Sequence, residues 1–486
     1  MKRLIEFIQN KLPPGSFARN VVTLMTGTTF AQALMILVAP ILTRLYSPGD
    51  FGVFALYTSI LGILAVIACL RYELAIVLPK KDEDAANLLV LSIIINIGMS
   101  LLILILVALF RYPLANLLGA PELAPWLWFM PLSLLAAGMF QAFNYWSTRR
   151  KQFKRLAARQ ITQSTVMAGT QMGFGLVPYL GPGGLIAGNI IGQSVATGRL
   201  AGQILKEEGQ PVLSSINRAN IRQVISRYKD FPMYSTWLSL LNSSSALLPP
   251  LLLGYFFNPN VVGFFTLGHR VLSLPMNILG TSIAQAFFPR ATEAQRHGNL
   301  DIITFEMFKR LLNLIVVPLL LFALIAPQLF AVIFGEQWAE SGVYAQWICV
   351  WIIFQFISSP ISTIIDVLEK QKIGLIYNTL LFWGRIVAVV VGGTLKDPLL
   401  AIILLGIVGT IMYFIYSILL LYLAKVNFKR VFRLIMKTAL NSVMFLIAPT
   451  IGVCMGLSFY INLILVLGCG LLFALYCVKR LNSFKT

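Results

Sequence analysis

Fourteen runs of roughly 20 or more mostly apolar residues follow one another along the chain, at 20–46, 52–78, 85–110, 124–146, 157–178, 184–204, 232–257, 262–289, 310–334, 343–366, 373–395, 398–424, 438–458 and 460–479. A run of that length, wound as an α-helix, covers the hydrocarbon core of a bilayer. In lipid the backbone must satisfy its own hydrogen bonds, which leaves only helices and closed barrels. The runs are continuous rather than alternating, so a barrel is excluded. The chain is 58% apolar and 12% charged, against about 45–50% and about 25% in soluble domains. Soluble, disordered, collagen-like and disulfide-scaffold classes therefore fall away. The expected fold is an all-α polytopic membrane protein with about 14 transmembrane helices.

The placement of charge supports that count. The net charge is +20, from 38 Lys+Arg against 18 Asp+Glu. With both termini in the cytoplasm, all of these basic residues but Arg44, Arg111, Arg270, Arg385 and Lys396 fall in cytoplasmic segments. That is the positive-inside pattern. The charge is spread over many short segments with no basic stripe interleaved with aromatics, so nucleic acid is not an expected partner, whereas anionic membrane lipid is.

Residues 1–15 read as an interfacial amphipathic segment with Leu4, Ile5, Ile8 and Leu12 on one side. No small-residue cleavage site closes the first apolar run. Trp126, Trp128 and Trp338 are expected in an outer aromatic belt and Trp146 in an inner one, with Trp237, Trp347, Trp351 and Trp383 packed deeper. The five cysteines all lie in apolar runs without CxxC spacing, and the two histidines are isolated, so no metal is expected. No GxxxxGK[ST], HExxH or GxSxG is present. The reading is a transporter without cofactor rather than an enzyme.

A short repeat organises the chain. LYSPGDFGVF (Leu45–Phe54) and FFNPNVVGFF (Phe256–Phe265) align at a shift of 211 residues, which places Pro48 on Pro259, Gly52 on Gly263 and Phe54 on Phe265. Six runs separate the copies, an even number, so the halves run in the same sense across the membrane. The expected organisation is an N-lobe at 16–204, a cytoplasmic inter-lobe linker at 205–231, a C-lobe at 232–424, and an additional helix pair with a cytoplasmic tail at 425–486. Two parallel six-helix repeats around a central cavity suit alternating access.

Ionisable groups deep in a membrane are functional candidates, because each costs about 2.5–3.5 kcal/mol to insert. Arg385 lies midway along LLFWGRIVAVVV, and Arg270 follows His269 about two turns into its run. Arg71 and Glu73, in CLRYELAIVLP, are two apart on an expected helix and so point to different faces. One of them is expected to line a cytoplasmic mouth; snorkelling is the competing reading. Arg44 sits near the outer end of the first run, where it lines an outer mouth or reaches headgroups. Asn242 and Gln285 are candidate cavity polar or coupling groups, and interhelical hydrogen bonding competes. Pro249 and Pro250 are expected to break or bend their helix. Arginine matches phosphate oxygens bidentately, so the cavity cations point to an anionic substrate.

LRYELAIVLPKKDEDAANLLVLS (Leu70–Ser92), HRVLSLPMNILGTSIAQAFFPRATEAQ (His269–Gln295) and GEQWAESGVYAQWICVWIIFQFISSPISTIIDVLEKQK (Gly335–Lys372) resemble the bacterial oligosaccharide flippases. That group includes O-antigen translocases and belongs to the multidrug/oligosaccharidyl-lipid/polysaccharide exporter superfamily. The resemblance spans nearly the whole chain. It implies two six-helix bundles, with two extra helices beside a lipid-accessible groove, in the bacterial inner membrane. It also implies movement of an undecaprenyl-pyrophosphate-linked oligosaccharide from the inner to the outer leaflet, with a polysaccharide polymerase and chain-length machinery as further partners. Arg270 and Arg71 carry over as pyrophosphate contacts, whereas Arg385 and Arg44 rest on the physical argument alone. Coupling to Na+, to H+ or to the membrane potential stays open. The competing readings are a cation-coupled multidrug exporter of the same superfamily and a membrane glycosyltransferase or polymerase acting on lipid-linked sugars.

Overall fold

The structure, a computed structural model, describes residues 17–482. The interfacial segment expected at 1–15 lies outside these residues. All regular structure among the described residues is helical. The main helices are α1 (Phe17–Leu45), α2 (Pro48–Ile67), α3 (Asp82–Leu117), α4 (Met130–Arg149), α5 (Phe153–Gly175), α6 (Pro182–Ser214), α7 (Arg218–Arg227) and α8 (Thr236–Phe256). They continue as α9 (Pro259–Leu272), α10 (Thr281–His297), α11 (Leu300–Phe334), α12 (Ala339–Ile361), α13 (Gln371–Thr394), α14 (Pro398–Leu423), α15 (Phe428–Cys454) and α16 (Phe459–Asn482). Among the described residues, ten candidate spans, in α1–α4 and α11–α16, are long and apolar enough to cross a membrane. The other four expected runs, in α5, α6, α8 and α9–α10, are helical but more polar or shorter: α5 carries Gln160, Gln163 and Gln171, and α8 carries Asn242 beside three serines.

Two expected runs are divided. The run 52–78 ends as helix at Ile67, because Leu70 and Arg71 adopt left-handed φ values of 47° and 63°. Such a conformation costs an L-residue roughly 1–2 kcal/mol. The run 262–289 is split between α9 and α10, with a π-turn at Met276–Gly280 just after Pro275. Pro249 and Pro250, by contrast, lie inside a continuous α8.

Packing divides the chain into two compact units, Met1–Gly263 and Phe264–Thr486. This division does not fall in the 205–231 linker, because α8 packs along α2 and joins the first unit.

In the first unit, α5 packs against α1 and α6, and α3 against α4. Tyr46 Oη donates to the Gln171 carbonyl (2.7 Å), and Gln171 Nε2 donates to the Leu185 carbonyl (3.0 Å), tying α1, α5 and α6 together. α7 docks by burying Val224 and Tyr228 against Tyr72, Ile76 and Leu88. The buried Asn87 holds the approach to α7: its Nδ2 donates to the Ser215 carbonyl (2.9 Å), and its Oδ1 accepts from the Asn217 amide (3.1 Å).

The 211-residue repeat is built the same way twice. Ser47 caps α2 by accepting from the Asp50 amide (3.1 Å), and Pro48 follows at the first helical position. Asn258 accepts from the Val261 amide (3.2 Å), and Pro259 opens α9. Each cap satisfies an amide that the first helical turn leaves open. The two copies then meet. A Cβ on Gly52 would overlap the Pro259 carbonyl, and a Cβ on Gly263 would overlap the Pro48 carbonyl. The glycines are therefore required by a reciprocal backbone clasp.

The opposite end of this unit carries paired charge. Asp82 bonds Arg149 (2.8 Å) and Arg150 (2.9 Å). Glu208 bonds Arg150 (2.9 Å) and Arg155 (2.9 Å) and accepts from Trp146 Nε1 (3.0 Å). Glu207 also pairs with Arg155. These contacts join the ends of α3, α4, α5 and α6.

In the second unit, α11 packs on α12, α12 on α14, and α13 on α14. α15 and α16 lie against α11, with Val317, Leu321, Phe445 and Phe473 between them. A cavity of about 640 Å³ opens among these three helices, lined by Lys309, Asn313, Val317, Thr438, Asn441 and Phe473 among others.

The expected tryptophan placement holds in part, with Trp128 exposed at 42% and Trp351 buried. Trp338 and Trp146 are buried, whereas Trp237, Trp347 and Trp383 are exposed, at 68%, 48% and 59%. Lipid solvates an indole as well as a protein core does, so depth along a helix does not imply burial within the protein.

Candidate functional site

The candidate residues fall into one group in each unit. In the first unit, the break after α2 brings Arg71 and Glu73 together. On a continuous helix the two would diverge, but the left-handed Arg71 turns its side chain back, and Arg71 Nη1 lies 3.6 Å from Glu73 Oε1. Glu73 is fully buried, and neither of its oxygens accepts a hydrogen bond among the described residues. Arg71 keeps part of its surface open and its Nε without a hydrogen-bond partner. The pair thus combines a sealed carboxylate with a reachable guanidinium. Gln141, on α4, donates to the Ala65 carbonyl (3.0 Å) and leaves its own buried Oε1 without a partner. Buried polar atoms without a partner can take up a ligand, and other described residues, Asn96 and Ser100 among them, carry such atoms as well.

In the second unit, Trp351 joins two of the sequence candidates. The His269 ring lies 5.4 Å from the Trp351 ring and 5.8 Å from Phe265. The Arg385 guanidinium lies 5.2 Å from the Trp351 ring centroid, and its Nη2 reaches Tyr413 Oη at 3.5 Å. Tyr377 packs 6.1 Å from Tyr413 and stacks on Tyr416 at 3.8 Å. Arg385 is 6% exposed. An aromatic face attracts a guanidinium electrostatically, so Trp351 and Tyr413 together position the Arg385 head group. Arg270 is half-buried at the end of α9 and makes no hydrogen bond or ion pair among the described residues.

Arg44, Asn242 and Gln285 are exposed. The contacts that build the two groups include none of them, and the interhelical hydrogen bonds anticipated for Asn242 and Gln285 do not form among the described residues. Sequence reading missed Trp351 and Tyr413, which look like ordinary core aromatics until α12, α13 and α14 converge. It also counted Arg159 among the basic residues of the cytoplasmic segments. Arg159 is in fact 7% exposed, with its guanidinium carbon 3.3 Å from the Phe140 ring centroid. Among the described residues there is no cluster of three or more His, Cys, Asp or Glu able to hold a metal.

The sequence profile of the polysaccharide biosynthesis proteins matches residues 41–343, more than half of the chain. The chain belongs to the polysaccharide biosynthesis protein family. This polysaccharide biosynthesis protein is 24% identical over 381 residues to the succinoglycan biosynthesis transport protein ExoT of Rhizobium meliloti (strain 1021), covering 76% of this chain and 72% of that one. It is 23% identical over 389 residues to the lipopolysaccharide biosynthesis protein WzxC of Escherichia coli (strain K12), covering 77% and 75%. Its fold matches that of the lipid II flippase MurJ in an inward closed conformation, with a TM-score of 0.74 at 15% identity over 94% of this chain and 99% of that one. It also matches an inward-facing multidrug resistance MATE family transporter of the MOP superfamily, with a TM-score of 0.61 at 18% identity over 83% and 95%. The chain is thus a multi-pass membrane protein, helical throughout its described residues, with the fold of these two transporters.

Proposed function

We propose that this protein is a flippase that moves an undecaprenyl-pyrophosphate-linked oligosaccharide from the inner to the outer leaflet of the bacterial inner membrane, for O-antigen or other surface polysaccharide synthesis. The observation that carries this reading is the set of buried or half-buried arginines in a polysaccharide-family membrane fold: Arg71, Arg270 and Arg385. A pyrophosphate supplies the oxygens that such forks bind, and a low-dielectric setting strengthens the contact. The relatives named for succinoglycan transport and lipopolysaccharide biosynthesis support the same class of cargo.

In this reading both termini are cytoplasmic, the glycine clasp lies at the outer face, and the ion-paired end of the first unit lies at the inner face. The repeat lobes 16–204 and 232–424 alternate access, and the cavity beside α15 and α16 shelters the apolar tail. The polymerase and chain-length machinery receive the product. With the inside negative, outward movement of the headgroup is downhill by about 2.3 kcal/mol per charge per 100 mV.

The test is reconstitution in liposomes with a labelled undecaprenyl-diphosphate oligosaccharide, scored by leaflet accessibility. Wild type is expected to flip the lipid, and Arg270→Ala and Arg385→Ala to lower the rate at least about tenfold, the equivalent of 1.4 kcal/mol. A folded wild type that flips no such lipid, with or without ion gradients, would overturn the reading. Full activity in both variants would remove those arginines from the site.

A further inference from the structure

α5 carries two arginines one turn apart, with nearly the same burial: Arg155 at 8% and Arg159 at 7% exposed. Arg155 is paired with two carboxylates, Glu207 and Glu208. Arg159 has neither a hydrogen bond nor an ion pair among the described residues, and its buried Nε is without a partner. Its only charge-stabilising neighbour there is the face of Phe140.

A buried guanidinium without a counter-charge is expensive to keep. A ring face offsets only part of that cost. The fold provides carboxylates one turn away and gives none to Arg159. The flanking residues of α5 are polar but uncharged: Gln160 approaches Thr28 on α1 (3.4 Å), and Thr162 accepts from Arg199 on α6 (2.9 Å). The surroundings can therefore host a polar visitor without supplying the missing negative charge.

We propose that Arg159 is an anion-binding residue whose counter-charge is a phosphate oxyanion carried by a lipid. Phe140 holds the guanidinium ready in the unliganded protein, and the phosphate takes up two of its N–H groups on binding. The flippase reading enters only in naming one source of that phosphate, the diphosphate of the cargo. The other source is a glycerophospholipid headgroup. Arg155, already neutralised, is the internal control.

The test uses the full chain purified in a neutral detergent, with the thermal midpoint measured alone, with undecaprenyl diphosphate, and with phosphatidylglycerol. Wild type is expected to be stabilised by at least one of these lipids. Arg159→Gln should keep or raise the unliganded midpoint, because an uncompensated charge is gone, and should lose the lipid-induced rise. Arg159→Lys keeps the charge but not the fork, and should keep only part of the rise. Arg155→Gln should lower the unliganded midpoint and leave the rise intact. A rise confined to undecaprenyl diphosphate identifies the cargo as the source, and one produced by phosphatidylglycerol as well identifies any lipid phosphate. The proposal is overturned if neither lipid stabilises wild type, or if Arg159→Gln keeps the full rise whatever its unliganded midpoint. Flipping by wild type is measured separately, so a failed site and a failed flippase reading give different results.

Discussion

The two ends of the first unit are held together by opposite means. At the clasp end, Gly52 and Gly263 let two helix starts touch through backbone, and shape alone makes the joint. At the other end, Asp82, Glu207 and Glu208 balance Arg149, Arg150 and Arg155 across four helices. The first joint is a backbone contact with no tolerance for an added atom. The second accepts small changes in shape, but removing a shared charge weakens every partner that depends on it. The difference shows how to sort polar residues here: a charge with a partner belongs to the frame, and a buried charge without one needs a different account.

Substitutions at four places in the first unit break or sharpen this contrast. The largest effect is expected at the clasp, where Gly52→Val or Gly263→Val forces side-chain atoms into a facing carbonyl and should cost about 3 kcal/mol. The thermal midpoint in detergent should fall by a similar amount for both variants, because the contacts are reciprocal; a fall in only one would break the symmetry argument. Next comes Glu208→Ala, which leaves the buried Arg155 with a single exposed partner, leaves Arg150 with Asp82 alone and takes the acceptor from Trp146. About 2 kcal/mol should be lost, and the same thermal assay should show that the double variant Glu208→Ala with Arg155→Gln is less destabilised than the sum of the two singles. Third, Asn217→Ala removes the side-chain cap of α7, which accepts from the Ala219 amide (2.9 Å). About 1 kcal/mol is expected, seen as faster proteolytic nicking in the linker. The smallest effect belongs to Glu207→Gln, whose side chain is 57% exposed. A loss below about 0.5 kcal/mol is expected, and a larger shift of the midpoint would mean that Arg155 depends on both carboxylates.

Sequence alone made the fold class, the helical runs and the repeat legible. Apolar length is written locally, and the turns Ser47–Pro48 and Asn258–Pro259 carry their own caps. The site was legible only in part. Arg385 stood out because its neighbours along the chain are apolar, and His269 proved to share Trp351 with it. The Arg71–Glu73 pair was misread because helical spacing assumes a helix, and two left-handed residues end it first. Arg155 and Arg159 looked equivalent because the carboxylates that separate them lie about fifty positions further along, on α6. The tryptophans misled for a solvent reason: where the surroundings are as apolar as the core, hydropathy cannot tell the inside from the outside.

The placement of α8 with the first unit sets a timetable for biosynthesis. α2 is complete once Ile67 has been made, yet the helix that covers it begins at Thr236 and the clasp closes only at Gly263. At about 5–20 residues per second the ribosome takes on the order of 10 s or more to bridge that gap. During this interval the glycine face of α2 is without its permanent neighbour while α3 to α7 emerge. A nascent chain arrested just after α7 should therefore hold a looser α2 than one arrested beyond Gly263, so the last step in building the first half of this protein is the arrival of the beginning of its second repeat.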